Sequence, residues 1–294
     1  GEGPLRAQGR DEREGGVGRE QISGPIPLGR EREQADEPRR GSQEQGRFAP
    51  WQIATRATPS AGGYRLAGAK CFALDANGAD QLLVLARTAG SVGERKGLTL
   101  FLLDPQTPGV AIERAQLLDV RNAARIRFTA VEVAASQVVG EVDGAATILD
   151  PVFDDAAVGL SAELLGVLSE AFDRTLAYLK IRRQFGVPIG SFQALKHRAA
   201  DMFCARELAA SVTLAAQRAL DAGRADAPAL ASAAKARVSD AANLIGRESI
   251  QMFGGIGMTD DEEIGLFMKR ARAAETTLGD STYHRDRFAT LSGF

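Results

Sequence analysis

Leu160-Ser161-Ala162-Glu163-Leu164-Leu165-Gly166-Val167-Leu168-Ser169-Glu170-Ala171-Phe172 is the stretch that decides the fold. Leu160, Leu164, Leu168 and Phe172 recur every four residues, which places them on one face of a helix. Tyr178 and Leu179 extend that stripe. Further on, Leu195, Met202, Phe203 and Val212 mark a second helix over about 192–220, ended by Asp221-Ala222-Gly223-Arg224. A third spans about 229–252 in an alanine-rich background with Leu230, Val238, Leu244 and Ile245, and a fourth begins near Asp260. Four amphipathic helices joined by short connections predict an antiparallel four-helix bundle over 146–294.

Upstream of about Ala146 the period changes. Residues 47–145 read as short strands separated by turns. Gly63–Gly68 leads into Lys70–Leu74, and Asp75-Ala76-Asn77-Gly78 supplies turn chemistry. Gln81–Ala86 and Leu98–Leu103 are too short for average helices, and Asp104-Pro105 stops the second, because proline lacks the donor a ladder needs. Ile126 and Phe128 alternate with arginines, then Val131 and Val133 continue after a shift of phase. This pattern predicts an antiparallel β-barrel or sandwich, so the whole reads as an α+β multidomain chain.

Residues 1–46 are different again: dense in Gly, Arg, Glu and Gln, without an aromatic residue and without periodicity. Such a segment buries too little surface to offset chain entropy and is expected to be disordered or unrelated to the two regions after it.

The chain has 294 residues, 44% of them hydrophobic and 25% charged, enough for two domains of an ordinary globular protein. A formal net charge of -2 gives no electrostatic reason to expect nucleic acid or an anionic membrane. Two cysteines, Cys71 and Cys204, exclude a disulfide framework and suit a reducing cytoplasm. With two histidines, His197 and His284, and no HExxH spacing, a metal centre is not expected. His197 and Cys204 could share a helical face, but the simpler reading is a surface histidine and a small core thiol. No stretch reads as a membrane span or secretory signal.

Two motifs carry chemistry. Arg182-Arg183-Gln184-Phe185-Gly186-Val187-Pro188-Ile189, followed by Phe192-Gln193, puts a guanidinium, an aromatic ring and an amide between two helices. Arginine offers planar donors to a phosphate, a ring can stack on a base, and an amide can read its edge; a loop with one buried phenylalanine is the simpler reading. Gln251-Met252-Phe253-Gly254-Gly255-Ile256-Gly257 clusters glycines at a helix end, where backbone N–H groups are free and a ligand can come close, although a helix cap also explains them. No strand precedes it, so it is not a Rossmann fingerprint.

In this order and on this pair of domains, the two motifs resemble the acyl-CoA dehydrogenase family, with Leu66-Ala67-Gly68-Ala69-Lys70 and Asp201-Met202 in support. The resemblance runs from about Gly46 to the C-terminus. It implies FAD as cofactor and an acyl-CoA thioester as substrate, dehydrogenated across a CH–CH bond with hydride passing to the flavin. It also implies an electron-transfer flavoprotein or similar acceptor, and a homo-oligomer or a heteromer with a second acyl-CoA dehydrogenase subunit. By the same resemblance Arg182 contacts the FAD pyrophosphate of a neighbouring subunit, Phe185 and Gln193 lie on its adenine side, and Gln184 and Gly186 belong to the same cofactor-binding loop. Gln251, Gly254 and Gly255 line the adenosine-pyrophosphate site across a dimer interface, and Phe72 stands beside the isoalloxazine.

The chain departs from the family twice. Leu278-Gly279-Asp280 stands where the family carries Glu-Gly-Thr, so leucine occupies the usual base position. The minority base position falls at about Ala156, beside Asp154 and Asp155. Asp280, Glu275, Asp154 and Asp155 are the substitutes at hand, each more simply a solvated carboxylate. The Leu-Gly-Asp ending and Gly257-Met258-Thr259-Asp260 resemble the small subunits of heteromeric acyl-CoA dehydrogenases, such as the pimeloyl-CoA group, which act beside a base-bearing partner. Residues 1–46 also contain neither the family's helical lid nor its flavin-contacting segment, and their composition is what a wrong reading frame through GC-rich DNA would give. Three readings therefore stand: an acyl-CoA dehydrogenase, a non-catalytic FAD-holding partner chain, and an inactive fragment.

Overall fold

The computed structural model describes residues 48–294. The expectations for residues 1–46 lie outside the described residues. Seven strands form one sheet: β1 (Arg56–Ser60), β2 (Gly63–Leu74), β3 (Leu82–Arg87), β4 (Leu98–Leu103), β5 (Val110–Gln116), β6 (Asn122–Ala134) and β7 (Val138–Val139). The order is β5-β6-β2-β1-β3-β4-β7.

This corrects the barrel or sandwich. The sheet is open, with β5 and β7 at its edges, and it is mixed, because β1 pairs parallel to β3. The physical reason is that β2 folds back on β1 through a tight hairpin and gives its other edge to β6, so β3 enters on the far side of β1 and runs with it. The two-residue β7 pairs only with β4, too short to close a barrel.

Alternation along β3 and β4 explains their near-continuous apolar composition, since both faces are covered. Val84, Phe101 and Leu103 join the sheet's own core, while Leu85, Leu98 and Leu100 pack with Ala145 and Leu149 of the first helix. The phase shift between Phe128 and Val131 is a β-bulge. Register with β2 slips there, and Ala130 takes a left-handed φ of 49°.

Five helices come after the sheet: α1 (Ala145–Ile181), α2 (Gln193–Asp221), α3 (Ala227–Phe253), α4 (Ile264–Thr276) and α5 (Ser281–Leu291). The fourth expected helix is thus two. Leu278 (φ 58°) and Gly279 (φ 105°) reverse the chain, and Asp280 restarts it by accepting the Tyr283 N–H at 2.9 Å. Helix α3 packs against the other four, and its alanines (Ala231, Ala234, Ala241, Ala242) are buried because a central helix needs short side chains for close approach. Sheet and helices are clamped by Arg270 on α4, which donates to Asp119 of the β5–β6 loop at 2.6 Å and to Glu163 of α1 at 2.7 Å. The Asp119 side chain is 2% exposed, so removing Arg270 would leave a buried carboxylate without its charged partner. Cys204 is exposed, not the core thiol expected, and His197 is exposed as expected. No helix among the described residues is long and apolar enough to cross a membrane.

Candidate functional site

Helix α1 ends where Arg182 turns to extended backbone, its N–H donating to Tyr178 O at 2.9 Å. The chain then forms a minimal hairpin, β8 (Arg183–Gln184) against β9 (Val187–Pro188), with Phe185 (φ 53°) and Gly186 (φ 80°) in the turn. Two left-handed central residues make the mirror-image turn that suits strand twist, and asparagine–glycine is its usual content. A phenylalanine there costs on the order of 1–2 kcal/mol, yet its ring is 92% exposed, edge-on to Phe192 at 6.1 Å. Strain spent on displaying an apolar ring is characteristic of a binding residue. Gln184 donates to Arg183 O at 2.8 Å, so its amide is engaged locally. Arg182, Gln193 and Gln251 are exposed, with no side-chain partner among the described residues.

The glycine cluster closes α3 at the same end of the helices. Tyr178 of α1 stacks on Phe253 of α3 with centroids 4.2 Å apart and planes 15° apart, and its hydroxyl donates to Phe253 O at 3.4 Å. Arg182 lies one turn beyond Tyr178, and Gly254 directly succeeds Phe253, so a single protomer brings the two motifs together. The glycines differ in what requires them. Gly254 (φ 69°, ψ -143°) adopts backbone that side chains resist. At Gly257 a Cβ would meet Ile250 O at 2.8 Å. Gly255 has neither reason: its φ is not positive, and no atom lies within 4 Å of an added Cβ. Nothing described in this chain demands glycine there, which points to space kept for something else.

Phe72 lies on the sheet instead. It occupies a break in the β2–β6 register between Lys70 and Ala73, with φ 56° and 43% exposure, so the bulge turns an aromatic ring outward that a regular strand would bury.

Leu278 lines a cavity of ≈ 40 Å³ with Phe48, Trp51, Phe153, Tyr283 and Arg287. Most of the neighbouring carboxylates are engaged, among them Asp150 of the lining, which pairs with Arg95. Asp280 caps α5. Glu275 is buried and paired to Arg272. Asp154 accepts from Arg287 at 2.6 Å, and burial pushes its carboxyl up despite that guanidinium. Asp155 is exposed.

Two groups that sequence reasoning missed flank this turn. Lys235 of α3 is fully buried, and burial pulls its pKa down to about 8. His284 of α5 is buried, with Nε2 donating to Leu278 O at 2.9 Å; burial, reinforced by Lys235, lowers its pKa to about 4. A lysine inside the alanine-rich face of α3 was the available signal for the first; nothing local marked the second. Because the folded pKa of His284 lies below its ordinary 6.5, the unfolded chain binds the proton first. The associated stability is complete above pH 6.5 and is lost as pH falls toward 4, by up to about 3 kcal/mol. Urea unfolding from pH 4 to 7 should therefore show a smaller acid loss in His284→Gln than in the wild type. Equal losses would contradict the assignment.

The fold of this chain is similar to that of several solved proteins. One is butyryl-CoA dehydrogenase from Megasphaera elsdenii (TM-score 0.78, 27% identity, covering 83% of this chain and 64% of that one). Another is PigA with FAD and proline (TM-score 0.78, 28% identity, 83% and 64%). Residues 143–291 match the family model described as "Acyl-CoA dehydrogenase, C-terminal domain", and the chain belongs to the acyl-CoA dehydrogenase family. The mitochondrial short/branched chain specific acyl-CoA dehydrogenase of Rattus norvegicus is 31% identical over 242 residues, 81% of this chain and 55% of that protein. The chain thus spans little more than half the length of this curated relative.

Proposed function

We propose that this chain is the FAD-binding core of an oxidoreductase that dehydrogenates an acyl-CoA thioester across its α,β bond. The observation that carries the proposal is the stacking of Tyr178 on Phe253, which sets Arg182, Phe185 and the open Gly254-Gly255 backbone at one end of the protomer. That donor set fits a dinucleotide: a free guanidinium for the pyrophosphate, an exposed ring for the base, free amides at Gln193 and Gln251, and glycines whose missing side chains leave room. Phe72, displayed by its bulge, would stand against the flavin ring. Bound flavin would supply the two-electron acceptor; the protein would orient the thioester and exclude water. Exposed Ile181, Phe185 and Met258 beside the motifs suit burial against a second subunit, so FAD and association would support each other. An electron-transfer flavoprotein or similar acceptor in the cytoplasm would complete turnover. We read the division between the two regions at about residue 145.

A second reading is favoured by the carboxylates. With Leu278 unable to accept a proton and Asp280, Glu275 and Asp154 each committed elsewhere, the α-proton would go to a base on another chain. This chain would then hold FAD for a base-bearing partner. FAD-loaded protein mixed anaerobically with short, branched and polycyclic acyl-CoA thioesters separates the readings. Bleaching of flavin absorbance by the chain alone supports a self-sufficient dehydrogenase. Bleaching that appears only in Leu278→Glu supports the partner-chain reading, and none in either defeats the dehydrogenase assignment.

A further inference from the structure

The turn that carries Leu278 is held by side chains far from it in sequence. Helix α4 ends at Thr276 with carbonyls that no further turn can satisfy. Thr276 and Thr277 hydroxyls donate to Ala273 O at 3.1 and 2.9 Å, and the Thr277 N–H reaches Ala274 O at 3.2 Å. Beyond that, Lys235 Nζ shares its three N–H donors among Ala274 O at 3.2 Å, Glu275 O at 3.0 Å, Gly279 O at 2.9 Å and, most distant, Ser239 Oγ at 3.3 Å. His284 Nε2 donates to Leu278 O at 2.9 Å. Gly279 lets α5 approach this closely: an added Cβ would lie 2.5 Å from the Tyr283 ring and 3.0 Å from His284 Nε2.

We propose that Lys235 and His284 are positioning residues, which together hold residue 278 in its left-handed turn beside the cavity between α1, α5 and the sheet-side loops. A fully buried ammonium at a helix C-terminus gains from the carbonyl dipoles, but it gives up hydration that a surface lysine keeps. Ending α4 with a glycine and a solvated turn would be cheaper. What the buried pair adds is a fixed direction for residue 278, whose left-handed φ of 58° a leucine adopts unwillingly. The importance of that direction rests on the reading that this position faces the acyl group; the clamp itself does not.

The test uses the full chain without added flavin or thioester, so it stands or falls independently of the proposed function. Hydrogen exchange is measured across residues 277–281, together with the methyl resonances of selectively labelled Leu278. In Lys235→Met and in His284→Leu, exchange in the turn should quicken by about tenfold or more, since each loses donors that nothing replaces. The Leu278 methyls should move toward random-coil positions. In His284→Gln the side-chain amide can still donate to Leu278 O, and both readouts should stay close to wild type. Exchange within α3, from Val238 to Ile250, should remain slow in all three. Unchanged turn exchange in both Lys235→Met and His284→Leu would overturn the proposal. So would acceleration spread equally through α3, which would make the pair general core support. If Lys235→Met fails to fold, the contrast between His284→Leu and His284→Gln decides alone.

Discussion

Arg87→Met is expected to destabilise the chain by about 3–5 kcal/mol, as large an effect as any single side chain of the sheet should give. Arg87 is fully buried at the end of β3, and its guanidinium spends all five N–H donors on backbone carbonyls. Nε donates to Ile53 O at 3.1 Å, Nη1 to Ala89 O at 3.3 Å and Lys96 O at 3.1 Å, and Nη2 to Trp51 O at 3.2 Å and Glu94 O at 3.0 Å. One side chain thus ties the 51–53 segment and the β3–β4 loop to the sheet. Methionine fills the volume but strands these carbonyls away from water, which is the costly arrangement. Arg87→Lys keeps the charge and at most three donors, so it should fall between. Urea midpoints for the three proteins check the order; a methionine variant as stable as the wild type would refute the account of this region.

The second large effect concerns flavin. Arg182→Ala should weaken FAD binding by about 10–100-fold, the worth of a charge-assisted phosphate contact. Stability should be unchanged, because the side chain is exposed and has no partner among the described residues. Arg182→Lys should recover part of the loss, since a point charge still attracts phosphate but cannot form the planar fork. Titration of flavin fluorescence measures all three. If the alanine variant binds FAD as tightly as the wild type, Arg182 is not at the pyrophosphate.

How much of the fold and the site is legible in the sequence depends on where the determining interactions lie along the chain. The four-residue stripe from Leu160 to Phe172 marks α1 correctly because core burial imposes the helical period locally. Likewise the phase slip between Phe128 and Val131 records a bulge, since moving one residue flips every later side chain to the other face. Strand order is not local. The parallel pairing of Arg56 with Arg87 leaves no periodic trace, so an antiparallel barrel is the natural but mistaken reading. The break between α4 and α5 is hidden for a related reason: Leu278 is held left-handed by Lys235 and His284, not by a residue that prefers that geometry. The two candidate motifs show as unusual residue types at a helix junction, but that Tyr178 and Phe253 join them can be seen only in three dimensions.

The most direct measurement is FAD titration of the wild type beside Gly255→Val. No atom lies near the Cβ position at Gly255, and its backbone is not left-handed, so valine should leave the fold and thermal midpoint almost untouched. The wild type should bind FAD and turn yellow, while Gly255→Val, equally folded, should not. A wild type that stays colourless with excess FAD, or a valine variant that binds it equally well, would contradict the claim that the hairpin and the glycine break form a flavin nucleotide site.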